Sequence, residues 1–91
     1  MITSPADGST LSGSSEPFTW SAEGEAVTRW RLEVGTTPDG TDLSVQAVDG
    51  AVLSTLVTGL PTDGSTVYVN LKWRISGVTS VASYTYTAAG P

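Results

Sequence analysis

The sequence predicts an all-β fold, an antiparallel Greek-key sandwich of about seven strands, and two observations support that prediction. Asp-Gly pairs recur along the chain, beginning at Asp7, Asp39, Asp49 and Asp63, and Asp-Gly favours tight turns because both residues tolerate positive φ. Between these turns lie short runs rich in β-branched and aromatic residues, and no window shows the periodicity of a helix. We therefore expect almost no helix.

Seven runs have the composition of strands. They are expected near residues 9–12, 17–21, 27–35, 42–48, 51–60, 66–75 and 81–88. Short strands separated at regular intervals by turn residues are typical of a Greek-key sandwich. A chain of 91 residues has room for one hydrophobic core, so we expect a single domain over residues 1–91, with residues 1–5 and 89–91 as linker ends.

Alternation of apolar and polar residues assigns a face to each side chain in the clearer runs. The inward positions are apolar, and they include all three tryptophans, which we expect in the core: Trp20, Trp30 and Trp73. The outward positions of the third and sixth runs are mostly polar: Arg29, Arg31, Glu33, Tyr68, Asn70, Lys72 and Arg74. In the last run Tyr84 and Tyr86 share one face, which alternation leaves open between core and solvent.

Several of these residues resemble those of the fibronectin type III and immunoglobulin-like β-sandwich. They are Trp20 in the second run, the bulky Trp30 in the third, and a Gly-Leu-Pro corner at residues 59–61 that leads to Tyr68. Segments 5–11, 18–21, 30–36, 60–69 and 84–88 are also similar to modules repeated in large secreted or surface proteins of bacteria. The resemblance implies an extracellular or cell-surface module that is part of a larger protein.

The residue types exclude most catalytic chemistry. The chain has no histidine and no cysteine, which removes Ser-His-Asp and Cys-His catalysis and the usual zinc sites. The acidic pairs Asp39 with Asp42 and Glu23 with Glu25 lie in polar loops, where nothing in the sequence supplies the burial that tunes a carboxyl pKa. No run offers three carboxylates at alternate positions for calcium. We expect no enzyme, no metal and no cofactor.

The net charge and the hydrophobicity of the chain limit the classes of binding partner that we expect. A formal net charge of −5 makes attraction to nucleic acid or to an anionic membrane surface unfavourable. No apolar run approaches the roughly 20 residues that membrane insertion requires. The expected partners are therefore the other domains of the same larger protein, together with a polysaccharide or a surface protein.

The most informative feature is the position of the positive charges. All four fall at outward positions of the third and sixth runs, which are neighbours in a fibronectin-like topology. The candidate ligand-binding residues are these four and the tyrosines that could join them: Arg29, Arg31, Tyr68, Lys72, Arg74, Tyr84 and Tyr86. Arginine forks and tyrosine rings can bind an acidic glycan or a protein. The same charges could instead pair with Glu33 as an ordinary solvated sheet face.

Three functions remain open on these grounds. The leading hypothesis is a non-catalytic accessory module that acts as a spacer or as a protein-interaction domain, because every recognisable motif is structural. The second is a carbohydrate-binding module that uses the basic and tyrosine-bearing face. The third is a self-assembling or virion-decorating domain whose exposed strands pair with those of neighbouring copies.

Overall fold

The computed structural model describes residues 2–22, 24–38 and 40–90. This part of the chain forms seven strands and no helix, which confirms the predicted all-β class. The strands are β1 (Ile2–Ser4), β2 (Glu16–Trp20), β3 (Arg29–Gly35), β4 (Ser44–Asp49), β5 (Ser54–Val57), β6 (Thr66–Ile75) and β7 (Val78–Thr87). Within the same residues, no helix is long and apolar enough to cross a membrane.

The strands form two antiparallel sheets, one in the order β1-β2-β5 and the other in the order β4-β3-β6-β7. The chain passes from one sheet to the other after β2, after β4 and after β5. Strands β6 and β7 form a long hairpin closed by Ser76 and Gly77, whose φ angles of 48° and 80° suit the tight turn that matches strand twist. The arrangement is that of the predicted β-sandwich.

Aromatic contacts join the two sheets. The ring of Phe18 on β2 meets the ring of Tyr86 on β7 edge to face, with centroids 5.5 Å apart. The ring of Trp20 on β2 lies 5.8 Å from that of Trp30 on β3. All four side chains are buried, and rings of this size each remove about 150–250 Å² from water. These contacts place the core between β2 and the strands from β3 to β7 of the larger sheet.

One of the three tryptophans expected in the core lies at its margin. Trp20 and Trp30 are almost fully buried, whereas Trp73 is only partly buried and packs against Trp30 with ring centroids 6.2 Å apart. The physical reason is the unequal length of the sheets. Strands β6 and β7 have 10 residues each, whereas β2 has 5 and β5 has 4, so the smaller sheet leaves the end of β6 uncovered.

The first strand differs from the prediction. Ile2–Ser4, expected within a linker end, form β1 and pair with β2, because the partly buried Ile2 packs against the core. Residues 9–12, expected to be the first strand, instead follow the edge of β7: Leu11 donates its backbone N–H to the carbonyl of Thr87 at 2.8 Å. Only an isolated parallel bridge, between Thr10 and Thr87, forms there.

Candidate functional site

The outward face of the larger sheet brings the four positive charges together. Strands β3 and β6 are neighbours, as predicted, and their register sets Arg29 directly opposite Arg74 and Arg31 directly opposite Lys72. Side chains that face each other in this way have Cβ atoms about 4.5–5.5 Å apart, and like charges in such positions destabilise a sheet. The face therefore carries two directly opposed pairs of like charge.

A single buried carboxylate lies between the two cations of the second pair and compensates one of their two positive charges. Glu33 lies on the same face as Arg31, and its side chain is only 6% exposed. One of its oxygens is 2.8 Å from Nε of Arg31, and the other is 3.1 Å from Nζ of Lys72. The expected pairing of the basic face with Glu33 is thus confirmed for Arg31 and Lys72.

The first pair has no equivalent counter-charge. Within residues 2–22, 24–38 and 40–90, neither Arg29 nor Arg74 forms an ion pair, whereas Arg31 and Lys72 both do. Asp49 at the end of β4 stands opposite Arg29 in the strand register, but it is exposed and no ion pair joins the two. The positive charge of Arg29 and Arg74 is therefore available to a partner.

A shallow groove of about 500 Å³ runs over this face. All four basic residues line it, together with Glu33 and with Ala47 and Thr79 from the flanking strands; the lining also includes Trp30 and Trp73. We call this the basic groove. The sheet face is therefore concave at this position, and the buried Glu33 is among the residues that line the groove.

Tyr68 lies on the same face, towards its other end. It is half-buried and contributes to a second, smaller cavity of about 260 Å³, which we call the polar depression. The other residues that line it are Asp7, Pro38, Asn70, Ser83, Tyr84 and Thr85. Asn70 stands opposite Glu33 in the register, so the polar depression follows the basic groove along one sheet face.

Sequence reasoning missed most of the polar depression. Ser83 and Thr85 alternate with Tyr84 and Tyr86, so a firm face assignment for the last strand would have found them. The residues around Asp7 predict a turn and give no indication that Asp7 lies at this face. It reaches the face because its carboxylate accepts a hydrogen bond from the backbone N–H of Thr85, distant in sequence, at 3.0 Å.

The structure places the side chains of Tyr84 and Tyr86 in the core, the orientation that alternation left open, although Tyr84 also lines the polar depression. They are 8% and 1% exposed and lie opposite Val69 and Val67 on β6, both of which are buried. The Tyr84 hydroxyl accepts the backbone N–H of Ile2 at 3.0 Å, and the Tyr86 hydroxyl donates to the carbonyl of Pro5 at 3.0 Å. They hold the N-terminal segment in place.

The burial of Tyr86 predicts a loss of stability in alkali. Burial, and then the neighbouring Asp7 and Tyr84, raise the pKa of the Tyr86 hydroxyl well above its ordinary value. The unfolded chain would lose this proton near pH 10, while the folded chain retains it. The stabilising contribution of the neutral hydroxyl is therefore present below about pH 10 and is lost as the pH rises through the folded-state pKa.

The midpoint of urea unfolding should accordingly fall above pH 10, and it should fall less steeply in Tyr86→Phe. That variant should be less stable at neutral pH by about 1 kcal/mol, because it loses one hydrogen bond. Equal slopes above pH 10 for the two proteins would show that Tyr86 is not responsible.

The carboxylate of Asp42, one of the acidic pair Asp39 and Asp42, has a structural contact of its own. Asp42 accepts hydrogen bonds from the Thr36 hydroxyl at 2.7 Å and from the Thr36 backbone N–H at 2.9 Å, and these bonds lower the pKa of its carboxyl. Asp39 and Glu23 lie outside the described residues. In the part of the chain that is described, no group of three or more acidic, His or Cys residues could hold a metal ion.

No family model, curated protein or solved structure matches this chain. The chemistry of the outward face is therefore the basis for a functional inference. Long cationic side chains, a half-buried phenol and two hydroxyls lie along one open surface. Such groups suit the binding of an extended anionic molecule through ion pairs and hydrogen bonds.

Proposed function

We propose that this chain is a non-catalytic accessory module of a larger secreted or cell-surface protein of bacteria, and that it binds an acidic partner in the basic groove. We assign it to the fibronectin type III kind of sandwich. The strand order supports this assignment, since β3 and β6 are neighbours within the larger sheet. The sequence motifs around Trp20 and the Gly-Leu-Pro corner at residues 59–61 support it as well.

The observation that carries the binding proposal is the pairing of like charges. The chain has nine acidic residues and only four basic ones, yet the basic residues stand opposite one another across β3 and β6. Of these four, Arg29 alone also stands opposite an acid in the strand register, the exposed Asp49 on β4. This arrangement costs stability unless a counter-charge is supplied, and Glu33 supplies only one. An anionic partner would provide the rest.

An acidic polysaccharide fits the whole face best. The basic groove offers cations to carboxylate or sulfate groups. The polar depression adds the phenol of Tyr68 and the exposed hydroxyls of Ser83 and Thr85, which are groups that hydrogen-bond to sugar hydroxyls. The two cavities lie one after the other along the strands, as a linear polymer would require.

A protein partner is the second candidate, and exposed aliphatic side chains beside the groove favour it. Val81 on β7 stands opposite Lys72 and is 55% exposed, and Val45 on β4 stands opposite Glu33 and is 44% exposed. Apolar groups next to arginines are common in protein interfaces. In this case the basic groove would bind an acidic surface of the partner.

Affinity electrophoresis through gels that contain different polysaccharides tests the proposal. We expect the purified chain to be retarded by acidic polymers and not by a neutral glucan, and the retardation to disappear near 1 M salt, where the screening length falls to about 3 Å. Tyr68→Ala should reduce it, and Thr19→Ala on the other sheet should not. Free migration through every acidic gel would contradict polysaccharide binding and leave the protein partner as the candidate.

A further inference from the structure

We infer that Arg29 and Arg74 form the subsite that holds an oxyanion of the ligand, a sulfate or a carboxylate group, and that Arg31 and Lys72 serve mainly to hold Glu33. This inference rests on the proposed function, because it assigns separate roles to the two halves of the basic groove. Such a subsite would bind a small anion without any polymer.

The two pairs differ in how much of their charge is already neutralised. Arg31 and Lys72 share the carboxylate of Glu33, with three contacts between 2.8 and 3.3 Å. Their head groups are directed to a carboxylate that is nearly inaccessible to solvent. A new anion there would face the negative charge of Glu33 as well as the two cations.

Arg29 and Arg74 face each other without such a carboxylate between them. Both are exposed, and in the described part of the chain neither takes part in an ion pair. The acidic group nearest to them in the strand register is Asp49, beside Arg29 on the edge strand β4. One exposed carboxylate for two guanidinium groups leaves a net positive charge at this end of the groove.

The geometry suits one shared oxyanion. Two arginines on directly opposed positions start about 5 Å apart at Cβ, and their flexible side chains can converge on one group from two sides. Each guanidinium presents N–H donors in a planar fork that matches a carboxylate or a sulfate. Thr79 lies opposite Arg74 on β7 and also lines the groove, so its hydroxyl adds a donor.

The strand backbones beneath this subsite are held by packing. Trp30 follows Arg29 and Trp73 precedes Arg74, and the two indoles are in contact on the inner side of the sheet. Trp30 also donates its indole N–H to the carbonyl of Gly50 at 3.0 Å. A rigid base reduces the ordering cost of anion binding to the motion of the arginine side chains.

Single substitutions that remove the same charge distinguish the two halves. Isothermal titration with a carboxylate polymer, alginate, and with a sulfate polymer, carrageenan, should show affinity about tenfold or more weaker in Arg29→Gln and in Arg74→Gln, since each loses a charged hydrogen bond. Arg31→Gln should weaken binding less than about threefold while lowering the melting temperature. Arg74→Lys, which keeps the charge without the fork, should recover part of the loss.

The polymers also separate the two sources of oxyanion. A selective loss for carrageenan would identify sulfate as the group held at Arg29 and Arg74, and a selective loss for alginate would identify carboxylate; either supports the subsite. If Arg31→Gln weakens binding as much as Arg74→Gln, the subsite assignment is wrong although the proposed function stands.

Inorganic sulfate tests the subsite independently of any polysaccharide. Titration with sodium sulfate against sodium chloride at equal ionic strength should move the side-chain Nε–Hε resonances of Arg29 and Arg74 in nitrogen–proton NMR spectra, and that of Arg31 much less. If sulfate moves the resonances of Arg29 and Arg74 but neither polymer binds, the subsite is supported and an acidic polysaccharide is not the partner. Equal small shifts for all three arginines would overturn the subsite.

Discussion

Replacement of Trp30 by alanine is expected to lower the free energy of unfolding by about 3–5 kcal/mol, a large share of the total for a small domain. The side chain is 1% exposed, and its ring contacts those of Trp20 on the facing sheet and Trp73 on the neighbouring strand. The substitution also leaves the carbonyl of Gly50 without its indole donor. The substitution therefore removes the ring contacts and the indole hydrogen bond of Trp30 at the same time.

Scanning calorimetry measures this effect as a melting temperature lower by roughly 12–40 °C. Trp73→Ala is the matched control, because Trp73 lies next to Trp30 but is only partly buried, and it should cost clearly less. Thr19→Ala, at an exposed strand position, should change stability by no more than about 0.5 kcal/mol. A loss in Trp73→Ala as large as that in Trp30→Ala would mean that the core extends to the end of β6.

Glu33→Gln is expected to weaken the fold and to strengthen ligand binding. The neutral amide no longer compensates Arg31 and Lys72, and we expect a loss of about 1–3 kcal/mol in the free energy of unfolding. This is less than for a fully buried pair, because the Arg31 and Lys72 side chains are 53% and 39% exposed and can turn towards water. The basic groove gains one net positive charge, so its affinity for an acidic polysaccharide should rise several-fold.

Urea unfolding and isothermal titration on the same preparations measure the two effects. Glu25→Gln is the matched control: it removes one negative charge from an exposed loop position and should leave both stability and affinity close to those of the wild type. An equal gain in affinity from Glu25→Gln would show that overall charge, rather than the groove, governs binding. Unchanged affinity in Glu33→Gln would count against the groove as the binding surface.

Much of the fold could be predicted from short-range chemistry. Asp-Gly turns and β-rich runs were sufficient for strands β2 to β7 and for the absence of helix in the described residues, whereas the first strand was expected at residues 9–12 and lies at Ile2–Ser4. Strict alternation in β3 and β6 was sufficient for the orientation of Arg29, Arg31, Lys72 and Arg74. These properties depend on the backbone preferences of single residues and on the two-residue period of a strand. Both can be recognised from residues that are close together in the sequence.

Pairing between distant strands, and the extent to which one sheet covers the other, decided the features that local patterns did not. The orientation of Tyr84 and Tyr86 came from pairing with the buried positions of β6, since a strand of mixed serine, threonine, alanine and tyrosine has no strong face of its own. The exposure of Trp73 came from the short length of the opposing sheet. The burial of Glu33, and the opposition of Arg29 to Arg74, depend on the register between strands that are distant in sequence. A register is set by how whole sheets pack, so no local pattern contains it.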